Sequence, residues 1–198
     1  MIAPLSGQAQ PRAIVIGTSV GGVEALSTIL AGLGPELAAA VLVVIHVPRQ
    51  KPSLLSGIFA RLTPWRVKEA EDKEPVQART VYFAPPDYHL LVERGPTLAL
   101  SVDDPVQFCR PSIDVLFESA ADVYGSGLMG IVLTGNNDDG AAGLAAVSAA
   151  GGRCVVQQPR NARGPTMPES ALRRVPSAEV ATLEEIATML QCSSRTKG

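Results

Sequence analysis

A serine, a histidine and an aspartate each follow an apolar run in this sequence: Ser19 after AIVIG, His46 after VLVVI, and Asp139 beyond GIVL in LTGNNDDG. A serine hydroxyl becomes a useful nucleophile when an imidazole takes its proton. A carboxylate on the other ring nitrogen then fixes the tautomer and stabilises the imidazolium. In that division of labour Ser19 attacks, His46 is base and then acid, and Asp139 orients His46. The chain order Ser, His, Asp differs from that of the α/β-hydrolases, but such triads recur in several orders on unrelated folds.

The stretch Gly17-Thr18-Ser19-Val20-Gly21 also fits G-x-S-x-G. Its glycines permit a sharp strand-to-helix turn, and amides at the helix start favour a developing oxyanion. Plainer roles stay open at each position. Ser19 also reads as a helix cap, His46 as a satisfied structural residue, and Asp139 as the cap of the next helix. One residue of misregister would exchange Asp138 for Asp139, and spacing does not separate them. His89, the other histidine, opens a short strand in PPDYHLLV and is read as structural. Nucleotide binding fits less well: Ser19 replaces the middle glycine of a dinucleotide loop, the second strand ends in His46 rather than an acid, and no lysine follows the glycines.

The elements that must position these residues are legible as continuous apolar strands at 13–16, 41–45, 130–133 and 154–156, the pattern of strands covered on both faces. Helical stripes intervene. Val23, Leu26, Leu30 and Leu33 precede a stop at Gly34-Pro35, and Ile113 to Tyr124 runs from a Ser112 cap to Gly125. A small-residue helix is expected over 141–150. The alternation predicts an α/β fold with a doubly wound, mainly parallel sheet, whose carboxyl rim would gather all three polar residues. Between the second and third strands, 67–80 reads as charged and turn-like, and 89–102 as an antiparallel hairpin appended to the sheet.

Length and composition agree with one domain. A chain of 198 residues, 46% hydrophobic and 18% charged, buries roughly 70% of its unfolded surface in a single core. We expect that domain over 12–192, with disordered ends at 1–11 and 193–198. No apolar run approaches a membrane span, and the first residues lack a secretion signal, which predicts a cytoplasmic protein. Net charge −2 offers no field for nucleic acid. Cys109, Cys154 and Cys192 show no C-x-x-C pairing, which argues against a disulfide framework or a zinc site.

The segments IGTSVGG, VIHVP, APPDYHLLVE, RPSIDVLFESAA, LTGNNDDGAAG and MPESAL occur in that order from Ile16 to Leu172. In them the chain resembles the catalytic domain of the CheB-type chemotaxis protein-glutamate methylesterases. The resemblance implies a doubly wound parallel sheet with Ser19, His46 and Asp139 as the triad, and favours Asp139 over Asp138 because the family's acid immediately precedes the glycine. It implies hydrolysis of γ-glutamyl methyl esters on the cytoplasmic helices of methyl-accepting chemoreceptors, and deamidation of receptor glutamines in some members. No metal or organic cofactor is expected. The backbone amides of Val20 and Asn136 are the expected oxyanion donors.

Departures from the family pattern are Val20, where a threonine is usual, and Asn136-Asn137, where Met-Gly is usual. They motivate a second reading, a weakly catalytic homologue that binds a partner helix. The family commonly carries an N-terminal receiver domain, whereas about a dozen residues precede the first strand here, so a stand-alone esterase, with a separate receiver domain as a candidate partner, and a domain cut out of a longer chain both stay open. Arg110 and the Met167-Pro168-Glu169-Ser170 segment are candidate borders of the cleft, with ordinary loop and helix-start roles equally open.

Overall fold

The computed structural model describes residues 10–46 and 55–191. The expected disordered ends lie outside these residues except for Gln10 and Pro11, and Pro11 is buried. Cys192 is outside them as well.

In chain order the elements are β1 (Ala13–Thr18), α1 (Gly22–Ala31), β2 (Ala40–Ile45), α2 (Leu55–Phe59), β3 (Arg66–Glu69), β4 (Thr80–Phe83), β5 (His89–Glu93), β6 (Thr97–Ser101) and α3 (Ile113–Tyr124). They continue with β7 (Leu128–Val132), α4 (Ala141–Ala149), β8 (Arg153–Gln157), α5 (Thr166–Arg174), β9 (Glu179–Ala181) and α6 (Leu183–Gln191). Seven strands form one sheet in the order β3-β4-β2-β1-β7-β8-β9, and every pairing in it is parallel. This is the doubly wound sheet expected from the alternation of strands and helices.

The apolar runs are continuous because both faces are covered. Ile14 and Ile16 of β1 point into a core with Leu26, Ile29 and Leu30 of α1 and Ile186 and Leu190 of α6. Their neighbours Ala13 and Val15 point the other way, into a core with Leu116 and Phe117 of α3 and Leu144 and Val147 of α4. Strand alternation thus divides one apolar run between two cores.

Several boundaries differ from expectation for identifiable reasons. Helix α1 stops at Ala31, before Gly34, because Gly32 and Gly34 pack against the α6 backbone. A Cβ on Gly32 would sit 2.7 Å from the Ala187 carbonyl oxygen. The expected antiparallel hairpin is β5–β6, a two-stranded sheet beside the parallel one. The sheet edge beside β4 is occupied by β3, which lies in the segment read as a charged turn. Its charges, Arg66, Lys68 and Glu69, are those of an edge strand. The hairpin packs on α3, where Ser119 Oγ accepts the Val92 amide at 3.1 Å. Among the described residues, no helix is long and apolar enough to cross a membrane.

At the centre of the order, β1 connects through α1 to β2 on one side and is flanked by β7 on the other. The loops leaving β1 and β7 therefore part at the carboxyl rim, the place where open α/β sheets form a crevice.

Candidate active site

Two loops meet at that crevice, joined through Thr134, the second residue beyond β7. Its amide donates to Gln157 Oε1 at 2.8 Å, and its carbonyl accepts the Ser19 amide and the Thr18 hydroxyl, each at 2.9 Å. Its hydroxyl donates to the Val20 carbonyl and accepts the Gly164 amide, each at 2.8 Å. Thr134 and Gln157 are 2% and 1% exposed, so these bonds form without competition from water. Ser19 thereby leaves β1 in a fixed direction. Gly21 makes the turn into α1 at φ 79°, a left-handed conformation that favours glycine. Gly135 leaves room for the serine, since a Cβ there would lie 3.0 Å from Ser19 Cβ and 2.7 Å from Met167 Sδ.

His46 is the first residue after β2, and its amide donates to the Thr18 carbonyl at 3.1 Å. Its Nε2 lies 2.9 Å from Asp139 Oδ2. Asp139 is fully buried and saturated with donors. Oδ2 also accepts the Ile113 amide at 2.7 Å, and Oδ1 accepts the Ser112 hydroxyl at 2.8 Å and the Asp114 amide at 3.0 Å. Burial works against the charged form, but the bonds from His46, Asp114 and Ile113 and the charge of His46 outweigh it and hold the carboxyl below its ordinary range. With an ionised acceptor at Nε2, the imidazole carries its proton there and presents the Nδ1 lone pair on its other side.

That arrangement corrects one expectation. Ser112 precedes α3 but makes no side-chain cap; its hydroxyl turns to Asp139, and the Asp139 carboxylate accepts the first amides of the helix in its place. Nor does Asp139 cap the helix that follows it, since Gly140 fills the N-cap of α4 at φ 97°. Asp114 takes that task. Its Oδ1 accepts the amides of Gly140 and Gly143 at 2.8 and 2.7 Å. Desolvation raises Asp114 to about 6; these amide bonds oppose the shift, and the Asp139 charge adds to it. The two carboxylates therefore cross-brace the starts of α3 and α4.

Nδ1 of His46 faces a cavity of about 230 Å³ lined by Ser19, His46, Phe108, Cys109, Arg110, Pro111 and Asn137. Asn137 Nδ2 lies 3.3 Å and Cys109 Sγ 3.9 Å from this nitrogen. Ser19 Oγ shares the cavity but makes no hydrogen bond among the described residues. Asp138 is exposed and borders a different cavity, of about 420 Å³, with Arg173 and Arg174. Val20 is 43% exposed and Asn136 is exposed, and neither amide donates to a partner among the described residues. His89 is buried, accepting the Ser112 amide at Nδ1 and facing the Asp104 carbonyl at 3.2 Å, both structural contacts. Arg110 borders the cavity, but its guanidinium is tied to Asp87 at 2.9 Å and to the Val102 and Asp103 carbonyls. MPES does open a helix, α5, as its position suggested.

Thr134 and Gln157 were not singled out from sequence, and Ser112, Cys109 and Asn137 were read there only as a helix cap, a thiol without C-x-x-C pairing and a departure from the family pattern. Gln157 left one signal, a polar residue at the end of an apolar strand. The others come from loops whose approach is visible only in three dimensions.

A sequence profile described as CheB methylesterase matches residues 14–190. A putative protein-glutamate methylesterase/protein-glutamine glutaminase of Leptospira interrogans is 43% identical over 178 residues, covering 90% of this chain and 92% of that protein. Protein-glutamate methylesterase/protein-glutamine glutaminases of Nitrobacter winogradskyi and Anaeromyxobacter dehalogenans are 36% and 37% identical, over 91% and 98% of this chain. The chain spans 43% and 55% of those two relatives. The crystal structure of the Thermotoga maritima CheB methylesterase catalytic domain superposes with a TM-score of 0.87 at 30% identity, covering 92% of this chain and 98% of that one.

Proposed function

The chain belongs to the CheB methylesterase family, matched over residues 14–190, and from that premise we propose that it hydrolyses γ-glutamyl methyl esters on the cytoplasmic helices of chemoreceptors, with Ser19 as nucleophile. The observation that carries the assignment is the 2.9 Å bond between His46 Nε2 and Asp139 Oδ2, which leaves Nδ1 as the acceptor on the cavity side. The ring is turned opposite to the serine-protease arrangement, in which the carboxylate takes Nδ1 and the serine faces Nε2.

In this reading the Ser19 hydroxyl gives its proton to His46 Nδ1 as Oγ attacks the ester carbonyl. Asp139 stays ionised and stabilises the imidazolium through Nε2. The tetrahedral oxyanion takes the amides of Val20 and Asn136, which have no other partner among the described residues, each contributing roughly 10²–10³ in rate. His46 Nδ1 returns the proton to the departing methoxide, and methanol leaves. Water then gives a proton to Nδ1 while attacking the acyl-serine, and Ser19 recovers its proton as glutamate is released. A glutamine side chain follows the same course with ammonia as leaving group, in keeping with the glutaminase activity in the relatives' names. Phe108, 97% exposed at the cavity, is positioned to meet a receptor helix.

The cytoplasm is the compartment this substrate requires, and a receiver domain, on the same or a separate chain, is the regulator the reading implies. The partner-binding alternative is not favoured, because the relatives are named as enzymes. The decisive assay is methanol release from methylated chemoreceptor membranes, with Ser19→Ala beside the unaltered chain. Release abolished by the substitution supports the reading; no release by the folded chain across several receptors overturns it.

A further inference from the structure

We propose that the cavity holds an inhibitory Zn²⁺ site made by His46 Nδ1, Cys109 Sγ and the Asn137 side-chain carbonyl. The three positions stand at 3.9 Å (Nδ1 to Sγ), 3.3 Å (Nδ1 to the Asn137 amide) and 3.5 Å (the amide to Sγ). Ligand bonds of about 2.0–2.3 Å at tetrahedral angles place N, S and O corners roughly 3.3–3.6 Å apart. The triangle present here departs from that by a few tenths of an ångström. Its fourth corner opens on the cavity shared with Ser19.

An independent feature points to the same ligand. Asn137 Oδ1 is buried without a hydrogen-bond partner, although its amide nitrogen is occupied. A half-turn of the amide exchanges the two atoms and brings this unpartnered oxygen to the corner facing Nδ1 and Sγ. The histidine is already held as zinc-binding histidines are, with its other ring nitrogen on a carboxylate. Asp139 lies close enough to be counted with His46 and Cys109 as a possible metal ligand. Its oxygens, however, are taken by His46, Ser112, Ile113 and Asp114, so it serves as the partner behind His46 and not as a ligand. Thiolate with imidazole selects zinc over magnesium or calcium. Binding releases the Cys109 thiol proton and occupies the lone pair that would accept the Ser19 proton, so catalysis stops. The ligands come from loops around positions 46, 109 and 137, which is why no C-x-x-C or H-x-x-x-H spacing announces them.

The inhibition rests on the esterase reading, whereas the binding does not, so the test has two arms. Co²⁺ is added to the metal-free chain and followed by absorbance, then displaced with Zn²⁺ in a calorimeter. A thiolate-to-cobalt band with tetrahedral visible bands is expected, absent in both Cys109→Ser and Cys109→Ala, which retain Cys154 and Cys192. Zinc affinity should fall by about 100-fold in these variants and by about 10–100-fold in Asp139→Asn. In the second arm, micromolar Zn²⁺ suppresses methanol release reversibly with chelator, while whatever release the Cys109 variants retain is insensitive. A cobalt–thiolate band that persists without Cys109, or no metal binding by the folded chain, overturns the site. Metal binding by a chain that releases no methanol supports the site and removes the esterase reading alone.

Discussion

Asp139 Oδ2 accepts the His46 ring at 2.9 Å and, at the same time, the Ile113 amide at 2.7 Å. One carboxylate oxygen therefore orients the imidazole and starts helix α3. The geometry of the proposed triad and local stability are coupled through a single buried atom.

Substituting Asp139 should affect both. Asp139→Ala leaves the Ile113 and Asp114 amides and the Ser112 hydroxyl without their acceptor, and should cost about 2–4 kcal/mol in urea unfolding. Asp139→Asn keeps one acceptor oxygen and should cost less, while methanol release falls by roughly 10³–10⁴ in both variants. Equal stability of the two variants would contradict the capping role.

Ser19→Ala should separate the same two properties. The hydroxyl has no hydrogen bond among the described residues, so unfolding free energy should stay within about 0.5 kcal/mol of the parent. Turnover should vanish, along with labelling by a phosphonofluoridate probe, which mass spectrometry of peptides would locate at Ser19 in the unaltered chain.

Asn137 competes for the His46 lone pair that the proposed mechanism needs, at 3.3 Å from Nδ1. Asn137→Gly removes this donor and should raise kcat by about two- to tenfold with little change in KM, a neutral hydrogen bond contributing roughly 0.5–1.5 kcal/mol. A fall in kcat would mean that Asn137 holds the ring in place instead of occupying its acceptor.

Thr134→Val should be costly for its size. It strips the hydroxyl from the Val20 carbonyl and the Gly164 amide, both inside the rim, and should destabilise the fold by about 1–3 kcal/mol. Because those bonds direct the Ser19 loop, kcat should fall more than KM rises; steady-state kinetics on a receptor substrate checks the split.

The buried acids should give stability opposite dependences on pH. Asp114, raised to about 6, binds its proton more tightly folded than unfolded, so its contribution is fully present below about 4 and is lost as pH rises through about 6. Asp139, lowered, contributes above about 4 and loses that contribution as pH falls through its folded value. Asp114→Asn should therefore gain roughly 1–1.5 kcal/mol relative to the parent between pH 5 and pH 7.5. Urea melts of both proteins across that range test this, and parallel curves would refute it.

The sequence by itself determined the architecture and the order of the polar groups along it. Continuous apolar runs at β1, β2, β7 and β8 require cover on both faces, and alternation with helices makes the sheet parallel, so Ser19, His46 and the aspartates had to reach one rim. What it did not contain was the approach of one loop to another. β3 was missed because an edge strand carries charges like a turn, and the hairpin's seat on α3 is a contact between segments well separated in the chain. Asp138 and Asp139 look alike in a string. The tertiary structure gives them different surroundings, burying Asp139 among donors from His46, Ser112, Ile113 and Asp114 while leaving Asp138 exposed. A buried carboxylate must be matched by donors that converge from separate segments, and that convergence is a property of packing with no local signature in the chain.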